Sequence, residues 1–392
     1  MKKCLLFCII ALLILSYFSS GAADTASDIT GDCRLSSTDK EKKAKVLTDD
    51  SYLSCVSLDA DGYIQVEPQN GVICGGIYIQ FLDVPAPYSV QWQKPDGSWE
   101  IIAHPDASIV NMYVSVGDRS GIFRIVATQA TRIAEVRVIG AGKLPDWVQT
   151  WKHMDGKADL MLVVAHPDDE LVFLGGTLPY YCGQLHKKTI MVYMTTGWTR
   201  RRNELLDGLW LCGVRDYPEL CEFPDSYTQS GSWALSHWGG RDFVYQKVAS
   251  LIRRYQPDVV ISQDIINGET KHGMHFAVAE ATVNAVELAA NSTYDTATAE
   301  AFGVWQVKKL YLHLYNQNKI VMPWDTMELS EFGGKTAAEV AQEAFDKHVS
   351  QQETAHKVYL SGSYNSKKFG LYFSTVGPDE AGNDFFEHID ID

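Results

Sequence analysis

The chain has 392 residues, which is enough for two domains with separate cores. Its composition, 46% hydrophobic and 21% charged, is that of a globular protein and excludes a disordered or fibrous one. The net charge of -15 disfavours nucleic acid as a partner, because a polyanion would be repelled.

The first 23 residues have the pattern of a secretory signal peptide. Lys2 and Lys3 precede an apolar run over residues 4–18, and small residues follow it in the sequence SSGAADTA. The run is short for a membrane-spanning helix, so a retained anchor is the less favoured alternative. We therefore expect a secreted or extracytoplasmic protein with no stable membrane insertion after cleavage. Six cysteines remain beyond the signal, which permits disulfides in an exported chain.

A polar leader is predicted over residues 24–50, followed by a β-sandwich over residues 51–145. Short segments with alternating hydrophobic residues recur here, such as GYIQVEP, YSVQWQK and GIFRIVAT, and turn residues separate them. Lys94-Pro95-Asp96-Gly97 has the composition of a hairpin turn. Such an accessory domain could bind carbohydrate through Trp92 or Trp99, and ordinary packing of these tryptophans is the equal alternative.

Residues 146–392 are predicted to form a Rossmann-like, doubly wound α/β domain. Continuous apolar runs of strand length, ADLMLVVA, TIMVYMTT and PDVVIS, alternate with amphipathic helical stretches such as FVYQKVASLIRRYQ. Strands that are buried on both faces and alternate with helices indicate a mostly parallel sheet. In such sheets ligands bind beyond the carboxyl ends of the strands.

Histidines and acids follow two of these predicted strands. His166 and Asp169 come directly after the first strand, and His275 lies in the segment after the third. The sheet would bring these three side chains to one point, where two histidines and a carboxylate form an open metal site. Asp168 would lie beside the ion, and His272 repeats the three-residue spacing with His275. Taken separately, a capped helix start and two solvated histidines explain the motifs equally well; their joint placement favours the metal site.

The second domain resembles the PIG-L/LmbE-type de-N-acetylases, which include enzymes that act on N-acetylglucosaminyl-phosphatidylinositol. The family signature AHPDDE stands unaltered at residues 165–170, and the second signature, HPDH, is similar to HGMH at residues 272–275. The late stretch KTAAEVAQEAFDKHVSQQ resembles the family's last helix, which ends in HxSQ. This resemblance extends over residues 158–389.

The resemblance implies a role for each matching residue. The ligands of a zinc ion, or of another divalent metal, would be His166, Asp169 and His275. Asp168 would be the general base, and His272 would stabilise the oxyanion or protonate the leaving amine. Arg201 and Glu204 match an RxxE pattern that follows the second strand, through which family members contact the substrate.

Two positions depart from the family pattern. Met274 replaces the acid between the paired histidines, so another group must orient His272. The loop TTGWTRRR lacks the Asn or Asp that relatives carry before its glycine, and Trp198 could supply a sugar-stacking face there or simply pack.

These observations predict an exported, metal-dependent deacetylase. Its substrate would be an N-acetylated amino sugar, N-acetylglucosamine or N-acetylgalactosamine in a glycan, and its products a free amine and acetate. One alternative is an amidase that acts on another amide, such as a thiol or glycolipid conjugate. The other is a non-catalytic glycan-binding protein that retains the fold.

Overall fold

The computed structural model describes residues 24–39, 44–197, 199–353 and 356–389. The predicted signal peptide and Trp198 lie outside this part of the chain. No helix within it is both long and apolar enough to cross a membrane.

The N-terminal domain consists of two antiparallel sheets that pack face to face. The five-stranded sheet has the order β1-β3-β8-β5-β6, and the four-stranded sheet has the order β2-β9-β4-β7. The strands are β1 (Cys33–Ser37), β2 (Val56–Leu58), β3 (Tyr63–Pro68), β4 (Cys74–Phe81), β5 (Tyr88–Gln93), β6 (Trp99–Ala103), β7 (Asn111–Arg119), β8 (Phe123–Ala127) and β9 (Thr131–Gly140), with 3-10 turns at Thr30–Asp32 and Ala44–Thr48.

Period-two patterning explains this sandwich. In β3, Ile64 and Val66 are buried while their neighbours are half-exposed. In β8, Phe123 and Ile125 are likewise buried and alternate with half-exposed residues. Alternate side chains of a strand point to opposite faces, so each strand gives one row of side chains to the core.

The prediction of a polar leader over residues 24–50 is wrong for part of that segment. Residues 33–37 form β1, which pairs antiparallel with β3 and places Leu35 opposite Val66. Its half-buried, polar side chains do not give the hydrophobic alternation of a strand, because β1 lies at the edge of its sheet.

The second domain has a seven-stranded sheet with the order β12-β11-β10-β13-β14-β18-β15. Its strands are β10 (Leu160–Val164), β11 (Thr189–Tyr193), β12 (Glu219–Leu220), β13 (Val259–Ser262), β14 (Lys309–His313), β15 (Lys319–Val321) and β18 (Lys368–Ser374), and a separate ribbon consists of β16 (Glu328–Leu329) and β17 (Lys335–Thr336). The helices are α1 (Asp169–Val172), α2 (Thr199–Leu211), α3 (Gly231–His237), α4 (Arg241–Tyr255), α5 (Gly268–Lys271), α6 (Gly273–Ala290), α7 (Thr296–Phe302) and α8 (Ala337–Phe345), with a π-helical turn at Leu178–Gln184 and 3-10 turns at Ser330–Phe332 and Val349–Gln351.

Helices cover both faces of this sheet. Met161 and Val163 of β10 contribute to a core with α3, α4 and α6, whereas Leu160, Leu162 and Val164 contribute to the core on the other face, with α1, α2 and α8. The strands from β12 to β14 are parallel, and β18 and β15 add an antiparallel edge. The predicted fold class, a mostly parallel α/β domain after a smaller β-sandwich, is confirmed.

The strand order changes direction beside β10. From β10 the chain moves outward to β11 and β12, and it then returns to β13 on the opposite side of β10. β10 and β13 are paired neighbours, so the loops after their carboxyl ends open into one crevice. One of these loops carries His166, and the other carries His272 and His275.

The two domains are joined by polar contacts to α2. Asn203 donates to the Phe81 carbonyl oxygen at 2.9 Å, and Asp207 accepts from the Tyr52 hydroxyl at 2.9 Å and the Gln149 amide at 2.6 Å. Burial raises the pKa of Asp207 to about 6. The helix that carries Arg201 is thus held by the sandwich as well as by its own sheet.

The structure also bears on the cysteines of both domains and on two tryptophans of the N-terminal domain. The six cysteines of the described residues form no disulfide. The Arg124 guanidinium lies 4.0 Å from the centre of the Trp99 ring, and the Trp92 indole donates to the Ser120 carbonyl oxygen at 2.9 Å.

Candidate active site

The first loop of the site turns sharply after β10. All five residues of β10 are buried, and the chain then passes through His166 to Asp168, which has a φ of 115°. A non-glycine residue is strained in this region, and such strain is concentrated at functional sites. α1 begins at the next residue, so that Asp168 and Asp169 both lie at its buried N-terminus.

The second loop lies between β13 and α6. Thr270 and Lys271 have positive φ values of 57° and 60°, and His272 is the N-cap residue of α6. His275 follows in the first turn of the helix and is buried. The three-residue spacing thus places both imidazoles at the start of one helix.

Three side chains from these loops converge. His166 Nδ1 is 3.2 Å from His275 Nε2 and 3.3 Å from Asp169 Oδ2, and Asp169 Oδ1 is 3.4 Å from His275 Nε2. Ligands bound tetrahedrally to one ion at 2.0–2.1 Å lie about 3.3–3.4 Å from one another. Each pair of these side chains therefore approaches to the spacing of two ligands on one ion, with a different Asp169 oxygen facing each histidine, and the cluster is open on its remaining side.

Electrostatics within the cluster also suit a cation. Burial alone would raise the pKa of Asp169, but His275 and His166 hold that pKa well below its usual value. Burial would lower the pKa of His275, and Asp169 and Glu269 instead raise it to about 10. A divalent ion can take the place of the protons that these imidazoles would otherwise carry.

Each histidine has a partner on its outer ring nitrogen. His166 Nε2 lies 3.4 Å from Asp225 Oδ1, and His275 Nδ1 lies 3.2 Å from the Glu269 carbonyl oxygen and 3.3 Å from its Oε2. These acceptors favour a proton on the outer nitrogen, which leaves the lone pair of the inner nitrogen directed toward the other ligands.

Glu269 continues this network into the core. Its Oε1 accepts from the Asp264 amide at 2.8 Å and lies 2.7 Å from His313 Nδ1, while His313 Nε2 lies 3.2 Å from the Asn365 carbonyl oxygen. Glu269 and His313 are fully buried, and His313 ends β14, the next strand along the sheet. The orientation of His275 thus depends on a side chain from a third strand end.

Asp168 lies beside the cluster, next to Arg201. Burial raises the pKa of Asp168 to about 7, and the Arg201 guanidinium, 3.2 Å from its Oδ1, opposes that rise. Arg201 also donates to the Pro167 carbonyl oxygen and so supports the strained loop. Gly197, with a φ of 61°, leaves room for it, because a Cβ there would lie 3.1 Å from Arg201 Cδ.

Glu170 holds the backbone of Asp168 through a hydrogen bond. Its Oε2 accepts from the Asp168 amide at 3.0 Å, and burial raises its pKa to about 8. The other oxygen lies 3.9 Å from Nε2 of His348, whose pKa burial lowers to about 3. The last acid of the AHPDDE motif therefore holds the backbone of Asp168 in place and is itself remote from the open side of the cluster.

The orientation of His272 comes from the backbone. Its Nδ1 accepts from the Met274 amide at 3.2 Å, so the proton of the neutral ring lies on Nε2. Burial, with His166 and His275 nearby, lowers the pKa of His272 to about 4. His272 is thus a neutral hydrogen-bond donor near pH 7. The main-chain N–H of Met274 orients its ring, and this is the group that takes over from the acid found in the family pattern.

These groups open into a cavity of about 230 Å³. Of the predicted site residues, it is lined by His166, Asp168, Asp169, Arg201, His272 and His275. Residues that the sequence did not single out for the site complete the lining: Val172, Phe173, Asp225, Tyr227, Thr270 and His356, together with Gln351 from the HxSQ segment.

Glu204, another predicted substrate contact, does not line this cavity. Glu204 is buried and accepts from the Ser350 amide at 2.9 Å and from its hydroxyl at 2.5 Å. It therefore holds the turn that carries Gln351 to the cavity wall, and it does not face the open side. Trp198 is outside the described residues.

A second set of ligands is available in the same cluster. His166, His272 and His275 each offer a ring nitrogen within 4.8 Å of the others. The Asp169 oxygens are closer, at 3.3–3.4 Å from the two histidine nitrogens, and His272 already uses Nδ1 toward Met274. We therefore prefer Asp169 to His272 as the third ligand.

Residues 161–286 match the model of a protein family described as PIG-L, GlcNAc-PI de-N-acetylase. The matched segment includes both loops of the site and each residue of the proposed ligand set. This part of the chain is a PIG-L family domain. No curated protein matches the sequence.

Solved structures are similar to each domain separately. The conserved protein TT1542 from Thermus thermophilus is 21% identical over 50% of this chain and 82% of its own, with a TM-score of 0.38. The N,N'-diacetylchitobiose deacetylase from Pyrococcus horikoshii is 18% identical over 50% and 71%, with a TM-score of 0.38. A family 32 CBM from C. perfringens NanJ, in complex with galactose, is 14% identical over 29% and 98%, with a TM-score of 0.26.

Proposed function

We propose that this protein is a metal-dependent hydrolase that removes the acetyl group from an N-acetylated amino sugar. The observation that carries the proposal is the convergence of His166, Asp169 and His275, with Asp168 and His272 beside them, on one cavity of a PIG-L family domain. Three ligands, a base and a donor around an open position form the set that amide hydrolysis needs.

Zinc is the proposed metal. Two imidazoles and one carboxylate are ligands that zinc accepts, and each pair of these side chains lies at the spacing of two ligands on one zinc ion. When bound, the ion would lower the pKa of water and polarise the amide carbonyl.

The remaining chemistry falls to side chains of this chain. Asp168 accepts a proton as water adds to the carbonyl carbon, and Arg201 beside it favours the ionised form that can do so. His272, neutral with its proton on Nε2, donates a hydrogen bond to the oxygen on which negative charge develops. Asp168 then returns the proton to the nitrogen as the C–N bond breaks, which releases the amine and acetate.

The substrate class is inferred from the family and from the expected location. The family is described as acting on a GlcNAc conjugate, and the predicted signal peptide would bring this protein to extracellular glycans. We propose N-acetylglucosamine or N-acetylgalactosamine within such a glycan, and a glycan-binding role for the N-terminal sandwich.

The test is release of acetate and free amine from N-acetylated mono- and oligosaccharides by the purified protein. Asp168→Ala should abolish release, and a chelator should do the same until zinc is restored. Turnover that survives both treatments would contradict the mechanism. Sugar binding without any acetate release would instead support the non-catalytic alternative.

A further inference from the structure

Tyr227 is an aromatic residue at the mouth of the catalytic cavity. Its side chain lines the cavity, yet the residue is 75% exposed. The centre of its ring lies 5.3 Å from that of His272, with the two planes at 83°. An exposed aromatic ring that lines a cavity with convergent polar groups is placed to contact a ligand there.

The loop that carries Tyr227 is fixed to the two catalytic loops. Asp225 contacts His166, and the Thr228 carbonyl oxygen accepts from the Gly273 amide at 2.7 Å, at the start of α6. The contact with α6 is close, because a Cβ on Gly273 would lie 2.7 Å from the Ser230 backbone. Tyr227 is therefore held in a defined position relative to His272, and little ordering is needed when a ligand binds.

The position of the ring selects the kind of ligand. His272 donates toward the carbonyl oxygen of the amide, and in an N-acetylated amino sugar the amide nitrogen is attached directly to the pyranose ring. Because the Tyr227 ring is centred 5.3 Å from the His272 ring and lines the same cavity, a sugar ring attached to that nitrogen would lie near it. The C–H face of a pyranose is apolar, whereas its hydroxyls need polar partners, which Asp225, Thr270 and Gln351 can provide at the same wall.

We infer that Tyr227 is the stacking platform for the sugar ring that bears the acetamido group. The inference rests on the proposed function for the identity of the substrate. It assigns to this chain a sugar-binding subsite formed by the loop after β12, and it makes Tyr227 a determinant of sugar binding.

The experiment measures binding in the absence of turnover. In the full chain with Asp168→Ala, titration calorimetry with N-acetylglucosamine and N-acetylgalactosamine should show binding that Tyr227→Ala weakens about tenfold. Tyr227→Trp, which restores an aromatic face, should recover most of the affinity. Acetamide, which has no sugar ring, should show no dependence on residue 227.

Trp233 provides the matched control. It is 45% exposed, stacks on His237 at 4.6 Å and does not line the cavity, so Trp233→Ala should leave sugar binding unchanged. Unchanged affinity in Tyr227→Ala, or no sugar binding at all, would overturn the inference. Sugar binding that depends on Tyr227, in a protein whose wild type releases no acetate, would retain the subsite and reject the proposed hydrolysis.

Discussion

His166 Nδ1 and His275 Nε2 lie 3.2 Å apart although 109 positions separate the two residues in the chain. The two imidazoles belong to loops after neighbouring parallel strands, and Asp169 brings an oxygen to each of them. A divalent ion offers one physical reason for three buried polar groups to point at one another.

The identity of the third ligand can be tested through metal content. Asp169→Ala should lose most of the bound metal, because it removes the carboxylate whose two oxygens lie 3.3 Å from the His166 nitrogen and 3.4 Å from the His275 nitrogen. His272→Ala should keep the metal and lose activity, since His272 is proposed to bond the substrate. Metal per chain, determined by atomic emission, distinguishes the two variants. The opposite pattern would favour the three-histidine set.

Glu269 and His313 should control metal affinity without touching the ion. Glu269→Gln and His313→Gln each disturb the contacts that orient His275, and loss of such outer partners typically weakens metal binding about 10–100-fold. Competition with a chromophoric chelator would measure the change. Glu280→Gln is a suitable control, because that carboxylate lies on α6 but bonds to Arg241 and Tyr245. An affinity equal to that of the wild type in both core variants would contradict the network.

The dependence of kcat/KM on pH should reflect the ionisation of the Asp168 carboxyl group. The base must be ionised, so activity falls as the pH decreases through its pKa, and a bound cation would place that pKa at or below 7. Arg201 stabilises the carboxylate, so Arg201→Gln should shift the acid limb to higher pH by about one unit or more. Arg201→Lys, which keeps a positive charge, should shift it less. An unmoved limb in Arg201→Gln would show that another group governs it.

Asp207 should make stability depend on pH at the boundary between the domains. Its pKa rises from 3.8 to about 6 on folding, so over that interval the folded protein retains a proton that the unfolded chain has lost. The contribution of this group to stability therefore falls as the pH rises from about 4 to 6 and is level above that. Relative to the wild type, Asp207→Asn should gain stability over this interval.

Urea unfolding at several pH values would measure that difference. Asp59→Asn, at an exposed position of the N-terminal domain, controls for loss of one surface charge. A gap between Asp207→Asn and the wild type that is the same at every pH would show that Asp207 has no altered pKa.

The sequence predicted the parts of the fold in which burial determines the pattern of hydrophobic residues. β10, β11 and β13 are buried on both faces, so they are continuous apolar runs that stand out from the flanking helices. The edge strand β1 is polar and half-exposed, so the same reasoning missed it.

For the site, the sequence indicated the residues that directly follow recognisable strands. Asp225 follows β12, which has only two residues and gives no strand signal. Glu269, His313 and Tyr227 lie far apart in the chain or on a loop, and only the folded sheet shows that they surround His275 and His272. Glu204 matched a pattern, but its side chain points to Ser350, a direction that sequence spacing does not encode.

The hydrogen bond between the Met274 amide and His272 Nδ1 has a consequence for variation at position 274. Every amino acid except proline carries that N–H group, so any other side chain that the buried position accommodates leaves the hydrogen bond to the imidazole in place. A thioether can therefore stand in place of an acid at position 274 while His272 keeps its proton on Nε2. Proline is the one substitution that would remove the hydrogen bond.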